Sequence, residues 1–228
     1  MLEIKNLKKS YDGVTILHDI NLSIEDGEIV SILGPSGCGK TTLLNLILGL
    51  TDADEGEIIF QGQNVLDIPM EARGFNIVFQ DYALFPNLNV YKNITYGLKN
   101  KPDISIQQEV EDMIDLLGLR KHLDKKIEQL SALDGVIKES IKDKIKQIAR
   151  EFKLTTIIVT HDPEEALTLS DKVLIVNNGT ISQFGKPDEI IQTPDNDFVK
   201  EFILNQLVIK RNNIFTLFSQ EAQPQMAM

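Results

Sequence analysis

The residues best suited to chemistry stand at 34–41, where Gly-Pro-Ser-Gly-Cys-Gly-Lys-Thr matches the pattern G-x-x-x-x-G-K-[S/T]. The glycines allow the backbone to curl so that successive N–H groups face a polyphosphate. We expect Lys40 to contact the terminal phosphates of a nucleotide and the Thr41 hydroxyl to hold Mg²⁺. The residues predicted to line this site are Gly34, Pro35, Ser36, Gly37, Cys38, Gly39, Lys40, Thr41 and Thr42.

The flanking sequence predicts the elements that position this loop. Residues 29–33 form a short apolar, β-branched run that is typical of a buried strand. Residues 43–50 are apolar on most sides and predict a buried helix, whose positive N-terminal end would lie at the loop. The alternative is a glycine-rich turn before an ordinary helix, and the complete motif between a strand and a helix disfavours it.

Three further polar or aromatic positions have two interpretations each. Tyr11 precedes an Asp-Gly turn and is either a surface aromatic or a platform for adenine. Gln80 ends the short apolar run 77–79 and is either a plain strand terminus or a ligand of Mg²⁺ or the attacking water. His161 follows the apolar strand predicted at 154–160 and is either a turn residue or a sensor of the terminal phosphate.

The rest of the chain predicts an α/β protein with a mostly parallel sheet. Alternating apolar residues at 2–26 indicate an antiparallel flap ahead of the loop. Residues 81–130 are helical in composition and predict an inserted lobe, and Asn-Asn-Gly at 177–179 predicts a hairpin turn. We expect one domain over 1–219 and a disordered tail at 220–228.

Composition limits the class of protein. Lys and Arg number 23 against 34 Asp and Glu, a net charge of −11, which disfavours binding of nucleic acid through its phosphates. Cys38 is the only cysteine, so no disulfide framework exists and a reducing compartment is expected. The sequence also lacks a signal-peptide layout and an apolar run of the roughly 18–20 residues that span a bilayer. We therefore expect a cytoplasmic protein that serves a membrane only through a partner.

The order of the motifs resembles the ATP-binding subunit of an ABC transporter, from residue 1 to about residue 202. The matching positions are Tyr11, the loop at 34–42, Val-Phe-Gln-Asp-Tyr-Ala-Leu-Phe-Pro at 78–86, Ser-Ala-Leu-Asp at 131–134, and Val-Thr-His-Asp-Pro-Glu-Glu-Ala at 159–166. The sequence of residues 80–86 is similar to that of the corresponding subunits of importers of ferric iron, polyamines, sulfate, phosphonates or sugars. A glycine-rich loop of this kind also resembles guanylate kinases, so the loop alone does not identify the family.

This resemblance implies roles for individual residues. Tyr11 would stack on adenine, Gln80 would be the Q-loop residue, Asp134 the D-loop residue and His161 the switch histidine. It implies a P-loop NTPase fold of the RecA-like type, with ATP and Mg²⁺ as cofactors. The implied partners are transmembrane permease subunits, a substrate-binding protein and a second nucleotide-binding subunit that dimerises on ATP binding. The chain would then lie on the inner face of the cell membrane.

The family pattern breaks between Ser131 and Ala132. Where the family has the signature Leu-Ser-Gly-Gly-Gln, a helix and the Walker B strand ending in Asp-Glu, Leu130-Ser131 here runs directly into Ala132-Leu133-Asp134. From typical element lengths, the absent piece is about 25–30 residues. The Walker B strand is therefore absent, the strand predicted at 77–79 is expected to lose its neighbour, and the lobe at 81–130 is truncated.

Three functions follow from these observations. The first is an ATPase subunit that energises an ABC importer. The second is a nucleotide-binding but hydrolysis-dead internal-deletion product, since the catalytic Glu and one Mg²⁺ ligand would be missing. The third is a nucleoside monophosphate kinase, which would need an arginine-rich lid, whereas Arg120 is the only arginine between 81 and 130.

Overall fold

The computed structural model describes residues 1–75, 85–96, 98, 107–126, 129, 146–151 and 153–220. The chain divides into two compact units, one of residues 1–75 with 149–228 and one of residues 76–148. The first unit contains two sheets and carries the phosphate loop. Within the ranges given above, no helix is both long enough and apolar enough to cross a membrane.

The flap predicted at 2–26 is an antiparallel sheet. Its strands are β1 (Leu2–Tyr11), β2 (Val14–Ile24), β4 (Glu55–Phe60) and β5 (Gln63–Asn64), in the order β2-β1-β4-β5. Ile4 pairs with Leu22 on one side and with Ile58 on the other, and all three side chains are buried. Alternate apolar residues of these strands thus form one core, as the period of two in the sequence predicts.

The second sheet is mostly parallel and carries the loop at its centre. It consists of β3 (Ile29–Leu33), β6 (Thr156–Val159), β7 (Lys172–Asn177) and β8 (Thr180–Gly185), in the order β6-β3-β7-β8. Strand β3 pairs in parallel with β6 and β7, and β8 pairs antiparallel with β7. All five residues of β3 are buried, which explains why four of them are apolar. The fifth, Ser31, pairs its hydroxyl with that of Ser170.

Strand β6 differs from the other parallel strands in exposure. Its four residues, Thr-Ile-Ile-Val, are all half-buried, whereas β3 is buried throughout and β7 is buried at its four central positions. Among the described strands, β6 pairs only with β3 and forms the edge of the sheet. Among the described residues, this apolar strand therefore has no second neighbour of the kind that its composition calls for.

The helix that follows the loop, α1 (Lys40–Leu48), is fixed at both ends. It begins after Gly39 and ends at Gly49, which has φ 79° and so adopts the left-handed conformation of a helix C-terminus. The buried Arg73 donates hydrogen bonds to the last α1 carbonyls, those of Leu46 (2.8 Å) and Ile47 (3.0 Å). A cation at this end also complements the helix dipole.

The chain after β6 is mainly helical. It contains α4 (Pro163–Leu169), α5 (Pro187–Gln192), the short α6 (Asp197–Val199), a π-helical segment (Lys200–Asn205) and α7 (Gln206–Gln220). A second apolar cluster joins these helices to the sheet; its buried members are Leu33, Ala166, Val173, Ile175, Ile190, Val199 and Ile203. The sequence predicts short helices over 189–204, but α7 was not predicted.

The second unit contains the helices of the predicted lobe. Helix α2 (Val90–Ile94) is capped by Asn89, whose side chain accepts from the N–H of Lys92. The sequence predicts a short helix over 93–98, so the observed helix begins earlier than expected. Helix α3 (Gln107–Leu116) ends before Gly118, the stop predicted from the sequence. A 3₁₀ turn (Arg120–His122) follows it.

Several predictions fall outside the described residues. These are the strand at 77–79, Gln80, the junction of Ser131 with Ala132, Asp134 and the tail after 220, together with most of the helix predicted at 136–152. Within that last range, residues 146–151 are helical. The division of the first 219 residues into one domain with a lobe at 81–130 stays a prediction.

Candidate nucleotide-binding site

The loop at 34–41 leaves the carboxyl end of β3 and packs closely against neighbouring strands. A Cβ atom at Gly34 would lie 2.2 Å from the carbonyl oxygen of Val176, and one at Gly39 would lie 2.7 Å from Leu17 Cδ2. Gly37 faces open space on the other side of the loop. Two of the three glycines are therefore required by close contacts, and the third leaves the exposed side of the loop bare.

The Lys40 side chain is folded against the predicted phosphate loop. Its Nζ donates to the carbonyl oxygens of Gly34 (2.7 Å) and Pro35 (2.7 Å), and lies 3.6 Å from Cys38 Sγ. The Cys38 side chain is buried. The ammonium is thus held at the loop, where a phosphate oxygen could replace a carbonyl as its acceptor.

The geometry of the loop fits a polyphosphate. Ser36 and Gly37 are exposed at its rim, and Thr41 is exposed in the first turn of α1. No side chain fills the space beside Gly37. N–H groups at a helix N-terminus, a nearby ammonium and an accessible hydroxyl form a set that suits phosphate and a hard cation.

Tyr11 lies at the end of β1, in the turn that the sequence predicts. Tyr11 is 43% exposed, so part of its side chain is accessible from solvent. Its hydroxyl is 3.5 Å from Thr51 Oγ1, just beyond the C-terminal end of α1, and Lys9 Nζ is 5.2 Å from the ring centroid. The contact with Thr51 places the Tyr11 hydroxyl near the C-terminal end of α1, and the nine residues of this helix, about 13 Å in length, separate that end from the phosphate loop.

His161 is brought to the same edge of the sheet as the loop. Strands β6 and β3 are parallel, and the N–H of Thr160 donates to the carbonyl of Ile32 at 3.3 Å. The two strands thus end side by side, with His161 following one and Gly34 following the other. His161 is exposed, as a residue that reads a ligand must be.

A lysine from α7 binds the turn that carries His161. Lys210 Nζ contacts both carboxylate oxygens of Asp162 (2.7 and 2.8 Å) and Glu164 Oε2 (2.9 Å). Asp162 also accepts from the N–H of Glu164 and so caps the N-terminus of α4. Burial alone would raise the pKa of Asp162, but the hydrogen bonds from Lys210 and the backbone outweigh it and lower that pKa.

We expect the Lys210→Met substitution to raise the pKa of Asp162, since the burial penalty would remain without the cation. Asp162 is ionised in the folded protein to a lower pH than in the unfolded chain, so its contribution to stability is present above about pH 4 and is lost as the pH falls further. The loss at pH 7 should be less than about 1 kcal/mol because both side chains are about 40% exposed. NMR titration of the Asp162 carboxyl and denaturant unfolding at pH 7 and pH 3 measure both effects.

Arg211→Met is the matched control for this prediction. Arg211 is the next residue of α7, and the contact recorded for it is a 3.4 Å hydrogen bond to its neighbour Asn212. The control removes one positive charge from the same helix without touching Asp162. An equal shift of the Asp162 titration in both variants would contradict a specific role for Lys210.

The sequence predicts the loop, Tyr11 and His161 as site residues, whereas nothing in it indicates Lys210. The structure places the loop and His161 at one edge of the parallel sheet and Tyr11 on the adjoining flap. Gln80 and Asp134 lie outside the described residues, so their predicted roles are untested. In the described part of the chain, no cluster of His, Cys, Asp and Glu could hold a metal ion by itself.

Comparison with known proteins identifies the family. Residues 17–134 match the family described as ABC transporter. The chain is 42% identical to the spermidine/putrescine import ATP-binding protein PotA of Spiroplasma citri, over 94% of this chain and 69% of that protein. It is 38% identical to the protein of the same name from Mycoplasma capricolum, over 92% of this chain and 68% of the relative.

Solved structures agree with the sequence relatives. An ATP-binding cassette in a dimeric post-hydrolysis state with ADP and Pi superposes with a TM-score of 0.67 at 26% identity, covering 82% of this chain and 99% of that one. A dimeric bacterial ABC transporter cassette also gives 0.67, at 25% identity and with the same coverage. The P-loop NTPase fold predicted from the sequence is confirmed.

The length of the alignment also indicates how many residues of a relative are missing from this chain. The alignment to the Spiroplasma citri protein has 245 positions but includes 94% of the 228 residues here, about 214, so about 30 positions of the relative have no counterpart. This agrees in size with the helix and strand predicted to be missing after Ser131. Family match, sequence relatives and fold lead to one conclusion: the chain belongs to the ABC transporter family, as an ATP-binding subunit of the importer type.

Proposed function

We propose that this chain binds Mg-ATP at the loop of residues 34–41. The observation that carries the proposal is the loop itself, with its bare outer side at Gly37, the Lys40 ammonium against its carbonyls and the exposed Thr41 hydroxyl. Lys40 would bind the terminal phosphates, and Thr41 with Gln80 would hold Mg²⁺. The bound Mg²⁺ would neutralise phosphate charge.

The remaining predicted residues would complete the nucleotide site. Tyr11 would stack on adenine with its exposed face, and His161 would contact the γ-phosphate from the carboxyl end of β6. Asp134, the predicted D-loop residue, would act where two subunits meet around nucleotide. Residues 1–219 would form a single nucleotide-binding domain, with the truncated lobe at 81–130.

The relatives favour polyamine import as the process served. The proteins that cover this chain at 38–42% identity are named spermidine/putrescine import ATP-binding proteins. We propose that this chain lies on the inner face of the membrane and acts with permease subunits, a substrate-binding protein and a second nucleotide-binding subunit. Both similar structures are of dimeric cassettes, which supports the last partner.

We further propose that this chain binds ATP but does not turn it over at the rate of its family. In the family, the general base is the Glu that ends the Walker B strand. In this sequence Ser131 runs directly into Ala132, and that strand is missing. The loss of a general base typically costs about 10²–10⁴ in rate. The Glu165 carboxylate accepts from Thr160 Oγ1 at 2.6 Å, which ties it to its own turn and disfavours it as a replacement for this base.

The kinase alternative has no structural support among the described residues. A nucleoside monophosphate kinase needs cations that reach a second nucleotide. Arg120, the only arginine of the lobe, is paired with Asp115 and Glu111 of its own helix region instead. These contacts fix its guanidinium to α3 and the turn after it.

Calorimetry with Mg-ATP and phosphate release on the same sample test the proposal. We expect saturable binding with a stoichiometry of one per chain and no phosphate release above that of a Lys40→Ala control. Turnover that disappears with Lys40→Ala would contradict the missing-base account. Absence of heat together with an unchanged melting temperature on adding Mg-ATP would contradict ATP binding itself.

A further inference from the structure

We propose that Gly179, in the turn between β7 and β8, is a positioning residue that holds the phosphate loop in its binding conformation. This inference deepens the proposed function and rests on it, since the loop is positioned for nucleotide. The turn lies far from the loop in sequence. None of the motifs that mark the family's nucleotide site includes it.

The main chain of Gly179 joins the loop to the flap. Its N–H donates to the carbonyl of Cys38 (3.1 Å), and its carbonyl accepts from the N–H of His18 (2.8 Å). One residue thus satisfies a carbonyl within the phosphate loop and an amide of β2. Buried backbone groups need such partners, and breaking either bond would leave one without.

The hairpin geometry explains why Gly179 has backbone groups to offer. Asn177 pairs with Thr180 as the last step of the β7–β8 ladder, which leaves residues 178 and 179 as a two-residue turn. Asn178 has φ 45° and Gly179 has φ 72°, as in a type I′ turn. The N–H and carbonyl of Gly179 lie outside the ladder and can bond elsewhere.

The approach of the turn to the flap is closer than any side chain would allow. A Cβ atom at Gly179 would lie 2.1 Å from the carbonyl oxygen of Ile16 and 2.9 Å from His18 Cδ2. A Cβ at Gly39 of the loop would lie 3.2 Å from the same Ile16 oxygen. Strand β2 is therefore packed against both the turn and the loop, and a larger residue at 179 must displace one of them.

The hydrogen bond to Cys38 also fixes the direction of a loop N–H group. The carbonyl of residue 38 and the N–H of residue 39 belong to one planar, trans peptide unit and point in opposite directions. When Gly179 holds the Cys38 carbonyl, the Gly39 N–H must point away from the turn. Preorganised N–H groups bind phosphate without a further cost of ordering the loop.

A second hairpin of the same geometry provides the matched control. Phe60 pairs with Gln63, and the two turn residues between them are Gln61 with φ 50° and Gly62 with φ 81°. A Cβ atom at Gly62 would meet nothing within 4 Å. Gly62→Ala thus carries the same backbone strain as Gly179→Ala without the close contacts.

Gly56→Ala supplies the complementary control, a crowded glycine away from the loop. Its φ is 98°, and a Cβ there would lie 2.6 Å from main-chain atoms of Lys5, Asn6 and Leu7 in the flap. This variant separates a general loss of stability from a change at the loop. All three substitutions introduce the same single methyl group.

Two measurements on the full chain test the proposal. The first is the rate at which the Cys38 thiol reacts with a disulfide reagent in the absence of nucleotide; the thiol is the only one in the chain and is 5% exposed. The second is the dissociation constant for Mg-ATP. We expect Gly179→Ala to raise both the rate of the thiol reaction and the dissociation constant for Mg-ATP by about fivefold or more, because one backbone hydrogen bond is lost. Gly62→Ala should change the thiol rate and the dissociation constant by less than about twofold each, because it strains its own turn and has no contact with the loop.

A Gly179→Asn variant separates turn strain from crowding. Asn tolerates the left-handed conformation but has a Cβ atom. We expect Gly179→Asn to be as damaging as Gly179→Ala, whereas Gly62→Asn should be close to the parent chain. Full recovery of slow thiol reaction by Gly179→Asn would overturn the proposal, because strain and not contact with β2 and the loop would then explain the effect.

The remaining outcomes are decisive in the same way. An unchanged thiol reaction in Gly179→Ala, or an equal acceleration in Gly56→Ala at the same temperature below melting, overturns the positioning role. If the parent chain fails to bind ATP, the proposed function fails, and the thiol rates still decide whether Gly179 holds the loop. A faster thiol reaction that is specific to substitutions at position 179, together with weaker ATP binding, would support both the proposed function and the positioning role of Gly179.

Discussion

ATP turnover should rise by about 10²–10⁴ when the missing segment is inserted between Ser131 and Ala132. The insert would be the roughly thirty residues that the polyamine-import relatives contain and this chain lacks. It would supply the catalytic Glu and the second Mg²⁺ ligand beside the loop, Tyr11 and His161 of the proposed nucleotide site. Phosphate release at saturating Mg-ATP measures the gain.

The same insertion should change the exposure of β6. All four residues of this strand are half-buried, and among the described strands it pairs only with β3. The resemblance to the family implies that a Walker B strand lies between the strands at 77–79 and 156–159. The inserted strand would therefore pair with the edge of β6 that has no partner among the described strands. We expect the amide protons of residues 156–159 to exchange more slowly in the inserted protein, and hydrogen exchange can follow them.

A second insertion that replaces the catalytic Glu by Gln is the matched control. It should slow exchange in β6 to the same extent but leave turnover near that of the parent chain. If the β6 amides are protected in both proteins but neither turns over ATP, the chain must lack a further catalytic element besides the Walker B strand and its Glu. Family-level turnover by the parent chain would refute the prediction outright.

Local signals explain why the phosphate loop could be predicted from the sequence. The apolar run of β3, the glycines at 34, 37 and 39 and the start of α1 follow one another without interruption, so no distant contact was needed to recognise them. The flap was predicted for the same reason, since alternation and Asp-Gly turns act over a few residues. His161 could be placed because parallel strands end at one edge of a sheet.

Contacts between distant parts of the chain could not be predicted. The turn at 177–179 is evident in the sequence, but nothing there indicates that Gly179 bonds to Cys38, more than a hundred residues earlier. Helix α7 was missed because it has no clean apolar stripe: Ile209, Ile214 and Phe215 are all more than half exposed. Its Lys210 binds Asp162, 48 residues away, so its role appears only in three dimensions.

Removing the Lys40 ammonium should weaken Mg-ATP binding by about 10²–10³. Lys40→Ala deletes a cation whose Nζ lies 2.7 Å from each of two loop carbonyls and which would donate charge-assisted hydrogen bonds, about 1.5–3 kcal/mol each, to phosphate oxygens. Lys40→Arg should rescue little, because the planar guanidinium cannot occupy the compact position of an ammonium between Gly34 and Pro35. Calorimetry on folded protein at matched concentration measures the affinities.

Lys5→Ala controls for net charge in this comparison. Both substitutions make the chain, with its formal charge of −11, more negative by one unit, but Lys5 lies on the flap and pairs with Glu3. Since a general electrostatic effect is screened over about 10 Å at ordinary ionic strength, Lys5→Ala should leave the affinity within about twofold of the parent value. ATP binding by Lys40→Ala that equals that of Lys5→Ala would mean that the polyphosphate binds elsewhere. The geometry of the loop, in which the ammonium contacts no carboxylate oxygen among the described residues, argues that a nucleotide is its intended anion.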